Sequence, residues 1–121
     1  MNDRIAIRVF EIVGSPDCVS SEDGQKLYEL IVRAFKEGRP VRLSFQNVEF
    51  VISAFLHPAI GQLYGQYDES FIRSHLEISD MTEEDKTTLK RVVEDAKAYF
   101  KDPERAEQAR RSVLEEDDGD G

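Results

Sequence analysis

A small α/β fold is predicted for this chain, with an open mixed or mostly parallel sheet of three to four strands and three to four helices. Three observations predict it. Apolar residues alternate with a period of two at Ile5, Ile7 and Val9, and again at Val41, Leu43 and Phe45. Between these runs Leu27, Leu30, Ile31, Ala34 and Phe35 recur at helical spacing. Strand, helix and strand in that order describe a right-handed crossover between parallel strands. The 121 residues make one ordinary domain, long enough to bury a core without disulfides or metals.

The first strand is expected from Arg4 to Val13, closed by the turn chemistry of Gly14-Ser15-Pro16-Asp17. Ser20 or Ser21 caps the helix that follows, with Glu22 and Asp23 at the positive end of its dipole. Gly38 stops that helix and Pro40 prevents its continuation. Val41 to Phe45 forms the second strand, which Val48 and Phe50-Val51-Ile52 extend or resume. Pro58 belongs at a first helical position, where its missing amide costs least, so Ser53 to His57 reads as a turn. The helix beyond carries Ile60, Leu63, Tyr64 and Tyr67, with Gly61 and Gly65 four apart. Asp68-Glu69-Ser70 begins a short helical turn bearing Phe71 and Ile72, and Leu76 and Ile78 mark a short strand with His75 at its start. Thr82 caps the clearest helix, whose buried face is Leu89, Val92, Val93, Ala96 and Phe100 and which ends at Pro103. The domain is thus expected over residues 1–102. Over 103–121, a polar helical extension from Glu104 to Leu114 precedes a disordered acidic tail from Glu115 to Gly121.

Composition narrows the function classes. A formal net charge of -9 argues against non-specific nucleic-acid binding, which needs a basic face. Cys18 is the one cysteine, so no internal disulfide forms and a reducing compartment is expected. No apolar run has the length of a membrane span, and Met1-Asn2-Asp3-Arg4 leads into a strand-like run instead of a signal peptide. A cytoplasmic protein without membrane attachment is expected.

Few residues offer chemistry. His57 and His75 are the only histidines and have no partner at zinc-ligand spacing, so no metal and no cofactor are expected. Cys18 stands before a helix N-terminus, where the dipole lowers a thiol pKa, but a lone cysteine is more often a small buried residue. Ser20 and Ser21 are candidate phosphate or ligand contacts, although capping alone explains them. No nucleophile has a base at recognisable spacing, so an enzyme is not expected. Tyr64, Tyr67 and Phe71 beside Gly61 and Gly65 form the pattern of a protein interface, or equally of tyrosines closing a core with their hydroxyls in water.

The stretch from Val41 to Leu63 resembles the STAS-like domain family, small bacterial domains similar to anti-sigma-factor antagonists. In the STAS fold a strand of the form apolar-x-Leu-Asp-Phe/Leu leads through a short apolar segment to an Asp-Ser-Ser/Thr-Gly turn and a helix. Val41-Arg42-Leu43-Ser44-Phe45 looks like that strand, and Asn47-Val48-Glu49-Phe50-Val51 looks like the segment. Ile52-Ser53-Ala54-Phe55 stands at the turn. Ala54 to Leu63 is similar to the family's short Gly- and Leu-bearing helix, and the helix with Asp85, Leu89 and Val93 suits its last one. The resemblance covers Val41 to Phe100, and Arg4 to Gly38 more loosely.

The resemblance implies a non-enzymatic regulatory module that docks a protein partner, such as a histidine-kinase-like ATP-binding protein. Docking would use the Ser53-His57 turn and the following helix, through Ser53, Ala54, Phe55, His57, Gly61, Tyr64, Gly65 and Tyr67. STAS antagonists are phosphorylated on a serine in the turn. Here Ala54 occupies that place, Ile52 replaces the aspartate and Ser53 lies one position earlier, so the usual serine phosphoswitch is not expected. The alternative is a small-ligand, nucleotide or phosphate binder with Ser20, Ser21 and Ser53 gathered at helix N-termini along the sheet edge. An acidic nucleic-acid mimic is a third reading, and an exposed strand edge is able to support a homodimer.

Overall fold

The computed structural model describes residues 4–101, so the helix expected from Glu104 and the acidic tail lie outside the described residues. The elements run β1 (Ile5–Arg8), α1 (Val9–Val13), β2 (Asp17–Cys18), α2 (Ser21–Lys36), β3 (Val41–Ser44) and β4 (Phe50–Val51). They continue with α3 (Ser53–Ala59), a 3-10 helix (Gly61–Gly65), α4 (Glu69–His75), β5 (Leu76–Ser79) and α5 (Glu83–Lys101). The fold is α/β, with open sheets of parallel strands. One sheet has the order β1-β3-β5, and a second pairs β2 with β4.

Alternation builds the larger sheet as the apolar pattern requires. Val41 and Leu43 of the central strand are fully buried, and register sets Ile5 and Leu76 beside Val41, and Ile7 and Ile78 beside Leu43. These side chains form one wall of the core. The opposite face carries Ala6, Arg8, Arg42 and Glu77, all exposed. There Arg42 lies 3.3 Å and Arg4 3.6 Å from the Glu77 carboxylate.

The helices fill the other side. Ser20 caps α2 by accepting the Asp23 amide at 3.2 Å, and Leu27, Ile31, Ala34 and Phe35 form its buried stripe. Gly38 follows with φ 73, the left-handed geometry that closes a helix. Thr82 accepts the Asp85 amide at 3.1 Å, and α5 turns Val92 and Ala96 inward. Phe55, Leu56 and Ala59 of α3, fully buried, join α2 to α5.

Several expectations are corrected. The strand expected over Arg4 to Val13 ends at Arg8. Val9 turns into the core as the start of α1, which Gly14 closes with φ 76 and a 2.8 Å bond to the Phe10 carbonyl. Apolar residues at 9, 10 and 13 fit a helical turn as well as a strand, and burial of Val9 chooses the helix. Phe50-Val51 does resume a strand, but in the second sheet, against Asp17-Cys18, part of a segment expected to be turn and helix lead-in. His75 ends α4 instead of opening β5.

The Ser53-His57 segment is also helix, not turn. The Phe55 and Leu56 amides both bond the Ile52 carbonyl, at 3.0 and 3.1 Å, which starts α3 five residues before Pro58. Pro58 offers no amide to the Ala54 carbonyl, at a residue that is itself exposed. The helix ends one residue after the proline and the chain tightens into the 3-10 turn. The Gly61–Gly65 segment is therefore 3-10 rather than α-helical.

Candidate docking surface

Two short parallel strands position this surface. Cys18 and Val51 are register partners and point into the core, while Asp17 and Phe50, also partners, point out. The Ile52 amide continues the ladder to the Cys18 carbonyl at 3.2 Å, which sets Val19 and Ile52 on the outward side as well. Val19, Phe50 and Ile52 are 49%, 63% and 41% exposed. The only other large hydrophobic this open among the described residues is Phe100, so three of four gather on one small sheet face. Ser53, Ala54 and His57, all exposed, continue it along α3.

The remaining residues predicted for docking separate. Phe55 is fully buried and belongs to the core. Gly61 is buried against α5, where a Cβ would meet Ala96, Val92 and the His57 ring at 3.5 Å each. Gly65 faces the Phe100 ring, 2.6 Å from where a Cβ would stand. The close approach that the two glycines permit is thus taken up by this chain's own last helix. Tyr64 borders a cavity of about 170 Å³ with Leu89 and Val93 of α5, and burial pushes its hydroxyl pKa up. Tyr67 packs edge-on to Phe35 at 5.2 Å and stacks on Phe71 at 5.0 Å, and Phe71 in turn stacks on His75 at 4.0 Å.

The candidate ligand serines start neighbouring helices. The ends of β2 and β4 are hydrogen-bonded, so Ser20 and Ser21 begin α2 close to where Ser53 begins α3. Ser20 is engaged as a cap. Asp17, Glu22 and Asp23 surround this end of α2, and residues 9–25 and 43–72 contain no lysine or arginine to offset them. Burial pushes the Cys18 thiol up to about 11, with Asp23, Asp17 and Asp85 adding like-charge repulsion. The thiol is therefore neutral near pH 7 and no nucleophile. Among the described residues no group of three or more His, Cys, Asp or Glu is arranged to hold a metal ion, and no helix is long and apolar enough to cross a membrane.

Sequence reasoning missed Gly24, Val19 and Phe50. The α2 backbone lies so close to α3 at Gly24 that a Cβ there would strike the Phe55 carbonyl oxygen and come within 2.8 Å of Pro58 Cγ. A glycine in the second turn of an otherwise strong helix, at a cost of about 1 kcal/mol, was the available signal. Val19 and Phe50 became visible only with the pairing that turns them outward.

The family model described as a STAS-like domain of unknown function (DUF4325) matches residues 23–86, more than half of the chain. The chain belongs to this family. The match opens in the first turn of α2, runs through β3, β4, α3, the 3-10 turn, α4 and β5, and closes in α5. It thus contains most of the STAS-like domain's core and one strand of the candidate surface, β4. Neither the curated proteins nor the solved structures provide a match.

Proposed function

We propose that this STAS-like domain is a non-enzymatic, cytoplasmic regulatory module that docks another protein, and that it does so on the outward face of β2 and β4 together with the exposed side of α3. The observation that supports this is the contrast between the two outward sheet faces. The larger sheet turns Arg8, Arg42 and Glu77 to solvent, the polar finish of a surface without a partner. The smaller one turns out Val19, Phe50 and Ile52, apolar surface whose burial on docking is worth about 25 cal/mol per Å² before the costs of association. Docking here uses the α3 end where STAS relatives carry their phosphoserine, while Ala54 occupies that position in this chain. The phosphate-binding alternative is disfavoured by Asp17, Glu22 and Asp23 around the helix start.

The test is affinity capture from the native host with quantitative mass spectrometry, comparing wild type with the double variant Phe50→Ser, Ile52→Ser. At least one protein, for which a histidine-kinase-like ATPase is the first candidate, is expected to fall about tenfold, a loss of about 1.4 kcal/mol. Equal capture by the two forms overturns the reading. Intact-mass analysis of the chain recovered from the host is expected to show no phosphate on Ser53; a phosphorylated Ser53 would restore a phosphoswitch.

A further inference from the structure

The charges around the apolar face specify its partner. Asp17 lies on the face itself as the register partner of Phe50, and Glu49, exposed, precedes Phe50 in the chain. The two segments that build the face, residues 9–25 and 43–72, hold no lysine or arginine. An apolar centre is thus set among carboxylates with no cation supplied by either segment.

Resting on the docking reading above, we infer that the ligand of the β2–β4 face is a segment of another protein that combines apolar side chains with lysine or arginine. The apolar side chains cover Val19, Phe50 and Ile52, and the cations meet Asp17 and Glu49. Charge complementarity of this kind selects the partner and speeds its encounter. The same carboxylates select against the other occupants. A second copy of the chain docked through the same face would set one face bearing Asp17 and Glu49 against another, and like charges in a closing interface are repulsive. Nucleic acid and anionic lipid are repelled for the same reason.

Three designed amphipathic peptides test this, each about 15 residues long with the same leucines and with lysine, glutamine or glutamate at every polar position. Amide chemical-shift changes in the full chain locate binding, and fluorescence anisotropy measures it. The lysine peptide is expected to shift Val19, Phe50 and Ile52 and to bind at least about tenfold tighter than the glutamine peptide, with the glutamate peptide weakest. Raising salt from about 50 mM to about 500 mM should narrow that gap. Phe50→Ser with Ile52→Ser should weaken the lysine peptide about tenfold, and Asp17→Lys with Glu49→Lys should reverse the order of the peptides. Equal binding of the lysine and glutamine peptides at the face overturns the inference and leaves docking intact. Binding that ignores the Phe50 and Ile52 changes, or no shift at the face with any peptide, overturns it too, and host capture then decides docking separately. Sedimentation showing a dimer of the full chain that Phe50→Ser, Ile52→Ser dissolves would assign the face to a second copy instead.

Discussion

The Cys18 thiol is fully buried on the inner side of β2, and its ionised form is disfavoured first by desolvation and then by Asp23, Asp17 and Asp85. A position before a helix N-terminus would lower the pKa of an exposed thiol, but the reading of a lone cysteine as a small buried residue is the one that holds, because burial keeps the thiol from the dipole and from water. Native protein at pH 8 should therefore react with iodoacetamide about a hundredfold more slowly than a free thiol, and speed up only in denaturant. Fast alkylation of the folded chain would show that Cys18 is exposed. The pH dependence has a definite sign. A thiol raised from 9.0 to about 11 by folding contributes stability that is complete below pH 9 and fades as pH climbs toward 11. Urea midpoints measured across that range should fall, and those of Cys18→Ala should fall less.

Helix contacts separate two glycines that look alike in the chain. At Gly24 the obstacle to a side chain is the Phe55 backbone carbonyl, which is held inside α3. Gly24→Ala should cost about 1–3 kcal/mol despite alanine's better helix propensity. At Gly65 the obstacle is the Phe100 ring, which is 41% exposed near the end of α5 and free to swing away. Gly65→Ala should cost less than about 1 kcal/mol. Urea denaturation of both variants checks the contrast, and a reversed order would mean that α2 and α3 are not in the contact described. A second link between elements is Glu69, which accepts hydrogen bonds from Lys97 at 2.9 Å and Arg73 at 2.8 Å and so ties α4 to α5. The Lys97 bond leads in holding its carboxyl pKa below the usual 4.5. That contribution is present above pH 4.5 and lost as pH falls through the lowered value, so Glu69→Gln should converge with wild type in thermal melts under acid conditions.

Across the whole molecule, polar and apolar outward sheet faces coexist, and stability and docking are expected to part company there. Phe50 and Ile52 are 63% and 41% exposed, so Phe50→Ser with Ile52→Ser should change unfolding free energy by about 1 kcal/mol or less while removing partner capture. A large drop in melting temperature would instead make this ribbon part of the core. Much of the scaffold was legible from the chain: the α2 stripe, the α5 stripe apart from Phe100, which was expected inside and is 41% exposed, the Ser20 and Thr82 caps, and the alternation in β3. Each is a local signal, since a helical period, a capping hydroxyl and a strand alternation are complete within a few neighbouring residues. The family resemblance was legible for a similar reason, because its motif is one contiguous stretch. The docking face was not. β2 and β4 are two residues each, too short for any period to show, and their pairing joins positions far apart in the chain. Pro58 likewise pointed to a turn at Ser53-His57 by local rule. Burial of Phe55, Leu56 and Ala59 between α2 and α5 made that segment a helix, because packing on two sides outweighs one missing backbone hydrogen bond.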